Sequence, residues 1–130
     1  LNKCSKNVQY FQNLNLSIIP LDRVLLHSNI EIRLKKMINC GLIDEVAQLL
    51  KKYEYSEMPA MSTIGYKQVS DYLHGNLSLD DMSKNILSAT RQLAKRQITW
   101  LRHLDSTTVY SYTDYDNIVN RIKFFLGESK

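Results

Sequence analysis

Apolar residues recur along this chain with the period of α-helices over most of its length. Leu26, Ile30, Leu34 and Met37 follow at three- and four-residue steps, which places them on one helical face. Asp22 is suited to cap that helix at its start, and Gly41 to close it as the residue after its end. Leu42, Ile43, Val46, Leu49 and Leu50 make the buried stripe of a second helix over Leu42–Tyr53. Its first turn carries Asp44 and Glu45 and its last Lys51 and Lys52, the order that complements the helix dipole, so these charges read as structural. Glu54–Thr63, with Met58, Pro59 and Met61, breaks the period and reads as a loop. Ile64-Gly65-Tyr66-Lys67-Gln68 then leads into a short helix with Val69, Tyr72 and Leu73 inward and Gly75 as its stop. Gly65 near a helix start could allow a ligand close to the backbone, but a tight turn is the commoner reason for such a glycine.

Ser78 opens the longest helix, predicted over Leu79–Leu104 and so about 39 Å long. Ser78 and Asp81 have the spacing of a capping box. Ile86, Ala89, Leu93, Gln97, Trp100, Leu101 and Leu104 cluster on one side of this helix, while Lys84, Arg91, Lys95 and Arg102 fall within about 40° of one another on the far side. Arg96 lies on the flank of the apolar stripe, beside His103.

Two stretches have strand character. Leu16–Ile19 is a short apolar run ended by Pro20, and Thr107–Tyr112 is β-branched and aromatic. Thr113 or Asp114 then caps a final helix whose inward face is Ile118, Val119, Ile122, Phe125 and Leu126, closed by Gly127. Strands separated by so many helical residues are expected to pair in parallel, and two strands alone do not make a stable parallel sheet. The expected fold is mainly α with two short strands, part of a larger α/β sheet. Residues 1–15 form a polar lead-in that offers only Val8, Tyr10 and Phe11 to a core. The chain shows no internal repeat and no low-complexity tract.

Charge changes this picture at one place. Lys84–Leu104 contains five basic residues and no Asp or Glu, and the rest of the chain holds twelve basic against thirteen acidic. The excess positive charge is therefore local to this segment. A basic stripe opposite an apolar one is usually only a solvated face. Solvated helices, however, commonly place carboxylates four residues from their cations, and none occurs within this window. An external polyanion supplies the absent counter-charge better than water does, which favours nucleic-acid contact. Arg23 and Arg33 fall on the apolar stripe of the first predicted helix, where an unpaired cation is very costly. Spacing alone favours pairing with a core carboxylate or helix-end carbonyls; the sharper alternative is a cavity that holds a phosphate.

Other chemistry is missing. The four glycines, Gly41, Gly65, Gly75 and Gly127, form neither a P-loop nor a dinucleotide fingerprint. His27, His74 and His103 lack metal-ligand spacing, and Cys4 and Cys40 are too few for a disulfide framework or zinc site. No run approaches the ~20 apolar residues of a membrane span, no signal-peptide core opens the chain, and the default setting is a reducing cytoplasm. The first residue, Leu1, is not Met, which suggests a piece of a longer protein.

Ala89–Arg102, ATRQLAKRQITWLR, resembles a signature near the C-terminus of the bacterial tRNA dimethylallyltransferases, the isopentenyl-pyrophosphate:tRNA transferases. Pro20-x-Asp22-Arg23 with Leu26-His27, the series Ile30, Arg33, Met37 and Gly41, and Glu45-Val46 with Leu49 are similar to the same family in order and spacing. So are Ile64–Gln68 and Tyr72-Leu73-x-Gly75. The similarity covers residues 16–104 and leaves residues 105–130 as a terminal strand and helix.

The resemblance implies transfer of a dimethylallyl group from its diphosphate to N6 of adenosine 37 in tRNA, with Mg2+, by a cytoplasmic and monomeric enzyme of P-loop-kinase-like α/β fold. The phosphate loop, the aspartate base and the helical insertion of that family precede the matched region, so this chain resembles a C-terminal portion expected to be inactive alone. It implies tRNA contacts at Ser62, Thr63, Ile64, Gly65, Tyr66 and Lys67 and at Lys95, Arg96, Gln97, Ile98, Thr99, Trp100, Leu101 and Arg102, with the anticodon stem-loop as partner; the phase of the basic stripe adds Arg91 to that contact side. Ser62 and Lys67 stand where arginine is common in the family; Lys67 can still serve a phosphate as a point charge. Arg33 matches an arginine that lines the channel and meets the diphosphate, and Arg23 is similar in kind. Magnesium is implied to be held mainly by the preceding part. Trp100 is a tempting base stacker, but its place on the apolar stripe favours core packing. The competing readings are a freestanding helical nucleic-acid-binding module and a helical protein-interaction domain with a basic face.

Overall fold

A computed structural model describes residues 12–20, 22–53, 59–104 and 107–127. The elements are β1 (Asn15–Ile18), α1 (Arg23–Asn39), α2 (Leu42–Lys52), a 3-10 turn (Pro59–Ser62), α3 (Tyr66–Leu73), α4 (Leu79–Arg102), β2 (Thr107–Tyr110) and α5 (Tyr115–Phe125). They fall into two units. Asp22–Thr99 is one, and the described residues before Asp22 and from Trp100 onward belong to the other.

The helical unit begins where the sequence places its cap: an Asp22 carboxylate oxygen accepts the Val24 N–H at 2.7 Å. α1 ends at a two-residue joint. Cys40 N–H donates to the Lys36 carbonyl and Gly41 N–H to that of Ile38, while Gly41 takes φ +99°, a conformation that a side chain disfavours. The Gly41 carbonyl then accepts the Glu45 N–H, so one glycine closes α1 and opens α2. Leu34, Leu42, Val46, Met61, Val69, Met82 and Ile86 form the buried cluster, drawn from α1, α2, the 3-10 turn, α3 and α4.

Three expectations need correction in this unit. Residues 54–58 of the expected loop lie outside the described residues, but Pro59–Ser62 is an ordered 3-10 turn and Met61 is fully buried. The Ser62 hydroxyl donates to the Pro59 carbonyl and the Thr63 hydroxyl to that of Ala60, so the turn satisfies its own backbone. Leu73, expected inward, is 39% exposed, because it sits in the last turn of a short helix that leaves the core; the buried neighbour of Val69 is instead Ser70. In α4 the buried positions are Met82 and Ile86, and Leu93 is already 37% exposed. The cluster meets only the first turns of a 24-residue helix, so the apolar stripe outruns its cover. The Ser78 cap is as expected, with its hydroxyl accepting the Asp81 N–H at 3.1 Å and donating to the Asp81 carboxylate at 2.7 Å.

In the other unit β1 and β2 pair in parallel, with Asn15 opposite Thr107 and Ile18 opposite Tyr110, and Ile19 N–H extends the ladder to the Tyr110 carbonyl. Ser17, Ile19 and Ser111 are buried, whereas Ile18 and Val109 are exposed. The parallel pairing of the two strands is as expected. Asp114 stands at the N-cap position of α5, but its carboxylate accepts the Ser111 N–H instead, at 2.8 Å. The expected buried face of α5 is not buried: Ile118 and Val119 are half-buried and Ile122, Phe125 and Leu126 are exposed. Two strands of four residues offer too small a face to cover an 11-residue helix.

Candidate nucleic-acid interface

The basic residues of α4 do not form one uniform stripe. Lys84 ion-pairs with Asp80 one turn earlier in the same helix, and the hydrogen bond it donates to the Asp80 carboxylate, reinforced by that charge, raises the Lys84 amine above its usual range. Arg91 Nη2 donates to Glu31 Oε1 of α1. The expectation that the stripe lacks counter-charge is thus corrected at two positions. Asp80 lies just ahead of the acid-free window, and Glu31 comes from another helix that α4's own periodicity cannot reveal. Lys95 and Arg96 differ: both are exposed, and among the described residues neither has a carboxylate within ion-pair distance. Gln97 is exposed, Ile98 half-buried, and the Thr99 hydroxyl donates to the Lys95 carbonyl at 2.9 Å.

Trp100, Leu101 and Arg102 end the helix in the other unit. Trp100 is 64% exposed, which overturns the expected core packing. Helical phase put it in line with Ile86, but cover along that line stops well before the last turn. Leu101 is half-buried and Arg102 exposed.

The segment Ser62–Lys67 separates into a frame and an exposed cation. Gly65 takes φ +99° and is buried, and its N–H donates to the Gln68 side-chain carbonyl at 2.8 Å, which sets the start of α3. A tight turn therefore explains this glycine. Ile64 and Tyr66 are half-buried, and Ser62, Thr63 and Lys67 are exposed. The Ser62 and Thr63 hydroxyls spend their protons on the turn, which leaves the Lys67 amine as the cation of the segment.

The Tyr66 hydroxyl donates to the Glu45 carboxylate of α2. Sequence reasoning missed this role of Glu45, since its place in a first turn already has a dipole explanation and its partner lies 21 residues on. That bond, with burial and the Glu45 charge adding to it, raises the Tyr66 phenol above the ordinary tyrosine value. A group whose folded value is raised contributes stability that is complete below its unfolded value, near pH 10, and lost as pH rises through the folded one. Tyr66→Phe is expected to cost about 1 kcal/mol in urea unfolding at pH 7. The gap to wild type closes above about pH 10; a gap that persists at high pH would show that the hydroxyl does not act through this bond.

Arg23 and Arg33, expected to face inward, are both exposed. α1 is apolar on more than one side, with Val24 and Ile32 also exposed, and only Leu34 enters the buried cluster. The inward face is narrower than the spacing suggests, and both guanidinium groups are left accessible to an anion.

Among the described residues no three His, Cys, Asp or Glu side chains come together. These residues do not supply the oxygen cluster that Mg2+ requires. No helix of the described residues is long and apolar enough to cross a membrane. Cys40 is a free, exposed thiol, and Cys4 lies outside the described residues.

Comparison with known proteins gives consistent matches. The IPP transferase family model covers residues 2–104. The tRNA dimethylallyltransferase of Nitrosomonas eutropha is 45% identical over 92 residues, 70% of this chain and 29% of that protein. That of Methylobacillus flagellatus is 41% identical over 108 residues, 82% of this chain and 34% of that protein. Among solved structures, the full-length tRNA isopentenylpyrophosphate transferase of Bacillus halodurans superposes with TM-score 0.75 at 29% identity, over 88% of this chain and 38% of that one. The tRNA delta(2)-isopentenylpyrophosphate transferase of Staphylococcus epidermidis gives TM-score 0.71 at 26% identity, over 85% of this chain and 36% of that one. The chain spans about a third of the length of the relatives it matches.

Proposed function

The chain belongs to the IPP transferase family, and we propose that it supplies the RNA-docking surface and part of the diphosphate channel of a tRNA dimethylallyltransferase. The reaction is transfer of a dimethylallyl group to N6 of adenosine 37, beside the anticodon. The observation that carries the docking role is the exposed pair Lys95 and Arg96 on α4, cationic and without a carboxylate partner among the described residues.

The target base has to leave the anticodon-loop stack to present its amine, at a cost of a few kcal/mol. Lys95, Arg96 and Arg102 on α4, and Lys67 at the start of α3, fix the loop by its phosphates. Such contacts are strong in low salt and carry little base preference. Trp100, exposed at the end of α4, offers a plane on which a splayed base can stack. At the reacting centre the adenine N6 forms a bond to C1 of the dimethylallyl group as the C1–O bond to the diphosphate breaks. The bonding pair leaves with the diphosphate, and the N6 proton passes to a base outside the described residues. Arg33, with Arg23 as a second cation, meets the charge that grows on the departing diphosphate. Magnesium would add to that stabilisation from residues beyond those described.

Binding of an anticodon stem-loop to the full-length protein over a range of salt concentrations tests this reading. Lys95→Ala with Arg96→Ala is expected to weaken binding about tenfold and to flatten the salt dependence by about 1.5 in slope. Unchanged affinity in a folded variant would remove α4 as the docking helix. The same result, joined to tight binding of an acidic protein, would favour the protein-interaction reading.

A further inference from the structure

Arg91 has the helical phase of the basic stripe but not its environment. Its Nη2 donates to Glu31 of α1, and its Nε is buried with no hydrogen-bond partner among the described residues. The two side chains are 33% and 45% exposed, whereas those of Lys84 and Asp80 are 67% and 74% exposed. A guanidinium that serves a phosphate turns its fork outward. Here one nitrogen is committed to a carboxylate on another helix and a second is withdrawn from solvent.

The place of the pair gives it a consequence. Glu31 and Arg33 are two residues apart on α1, about 200° around the helix axis, so drawing Glu31 toward α4 turns Arg33 to the opposite side. Arg91 and Lys95 are one turn apart on nearly the same face of α4. Leu34 of α1 and Ile86 of α4 belong to the same buried cluster, but apolar burial is non-directional and leaves helix rotation loosely set. A charged hydrogen bond between the helices is directional and sets it.

We propose that Arg91 is a positioning residue and not an RNA contact. Through Glu31 it fixes the rotation of the helix that carries Arg33 against the helix that carries Lys95 and Arg96, and so holds diphosphate-side and RNA-side cations in register. This rests on the reading of α4 as the docking helix and of Arg33 as a diphosphate ligand.

The test uses the full-length protein with Glu31→Ala, Arg91→Ala, the charge-exchanged pair Glu31→Arg with Arg91→Glu, and Lys95→Ala as reference. Stem-loop affinity is read across salt, and KM is read for dimethylallyl diphosphate. Glu31→Ala and Arg91→Ala are expected to weaken RNA binding by a similar factor, about two- to fivefold, with no change in salt slope. Both raise the KM for the diphosphate, and the exchanged pair restores both quantities to within about twofold. The exchanged pair keeps the test decisive should a single variant fold poorly. Arg91→Ala lowering the slope by about one, as Lys95→Ala does, overturns the proposal. So does Glu31→Ala tightening RNA binding, since Arg91 is then a phosphate contact that Glu31 merely neutralises. A slope unchanged in Lys95→Ala instead sinks the docking role of α4, a different failure with a different signature.

Discussion

Arg33→Ala in the full-length protein is expected to lower kcat by about a hundredfold, with kcat/KM for dimethylallyl diphosphate falling at least as far. The size follows from the role proposed for the residue. A diphosphate gains charge as the C–O bond breaks, and a guanidinium placed on it binds the transition state more tightly than the ground state. Loss of a donor that meets charge developing in the transition state costs ~3 kcal/mol, far more than loss of a charge that meets only water. Stability gives the control. Arg33 is exposed and, among the described residues, has no ion-pair partner, so its removal is expected to change unfolding by no more than about 0.5 kcal/mol. Arg33→Lys keeps the charge but not the planar fork and is expected to recover only part of the rate. Stem-loop affinity stays at its wild-type value, which separates this role from that of Lys95. Wild-type kinetics in a folded Arg33→Ala protein would falsify the diphosphate assignment.

What could be read in the sequence is local. The Asp22 cap, the Gly41 joint, the Ser78 box and the stripe of α2 each depend on residues within one or two helical turns, and each stands as expected. The parallel pairing of β1 with β2 was also legible, because so long a helical connection leaves few other arrangements. What failed is where tertiary cover decides. Helical phase assigns Ile86, Leu93 and Trp100 to one side, but it cannot say how far along α4 the other helices reach, and exposure rises along that side. The same blindness hid both carboxylates that matter to the site. Glu31 lies 60 residues from Arg91 and Glu45 lies 21 from Tyr66, and each has an ordinary explanation on its own helix. Arg33 fell on a predicted inward stripe for the converse reason: α1 has apolar residues on several sides, and only contact with α2 and α4 selects the one that is buried.

These corrections change the docking surface more than the fold. A helix with four equivalent cations would grip any polyanion along its length. With Lys84 and Arg91 engaged by carboxylates, the charge of α4 in the helical unit that has no ion-pair partner among the described residues contracts to Lys95 and Arg96. A short cationic patch suits a compact target such as a loop better than an extended duplex, because few phosphates can meet it at once.

Met61→Ala is expected to be the most destabilising of the substitutions considered, and to disturb RNA binding without touching a cation. Met61 is fully buried among Val46, Val69 and Met82, although its turn has no regular helical pattern in sequence. Truncation removes the apolar side chain and leaves a cavity that a core drawn from α2, α3 and α4 closes only in part, at a cost of about 2–5 kcal/mol. The flexible thioether is what lets one residue fill an irregular gap, so Met61→Leu, similar in volume, is expected to cost less than about 1.5 kcal/mol. The functional effect follows from position. Met61 anchors the turn that leads into Ser62–Lys67, where Gly65 and the Tyr66 bond to Glu45 set the start of α3 and with it the place of Lys67. Freeing the anchor lets that segment move, so stem-loop affinity falls in Met61→Ala while the salt slope stays near wild type, since no phosphate contact has been deleted. Urea unfolding and salt-dependent binding measured on the same two variants decide the matter. Unfolding of Met61→Ala at the wild-type midpoint would mean that the turn is not held by its methionine, and the frame assigned to Lys67 would lose its anchor.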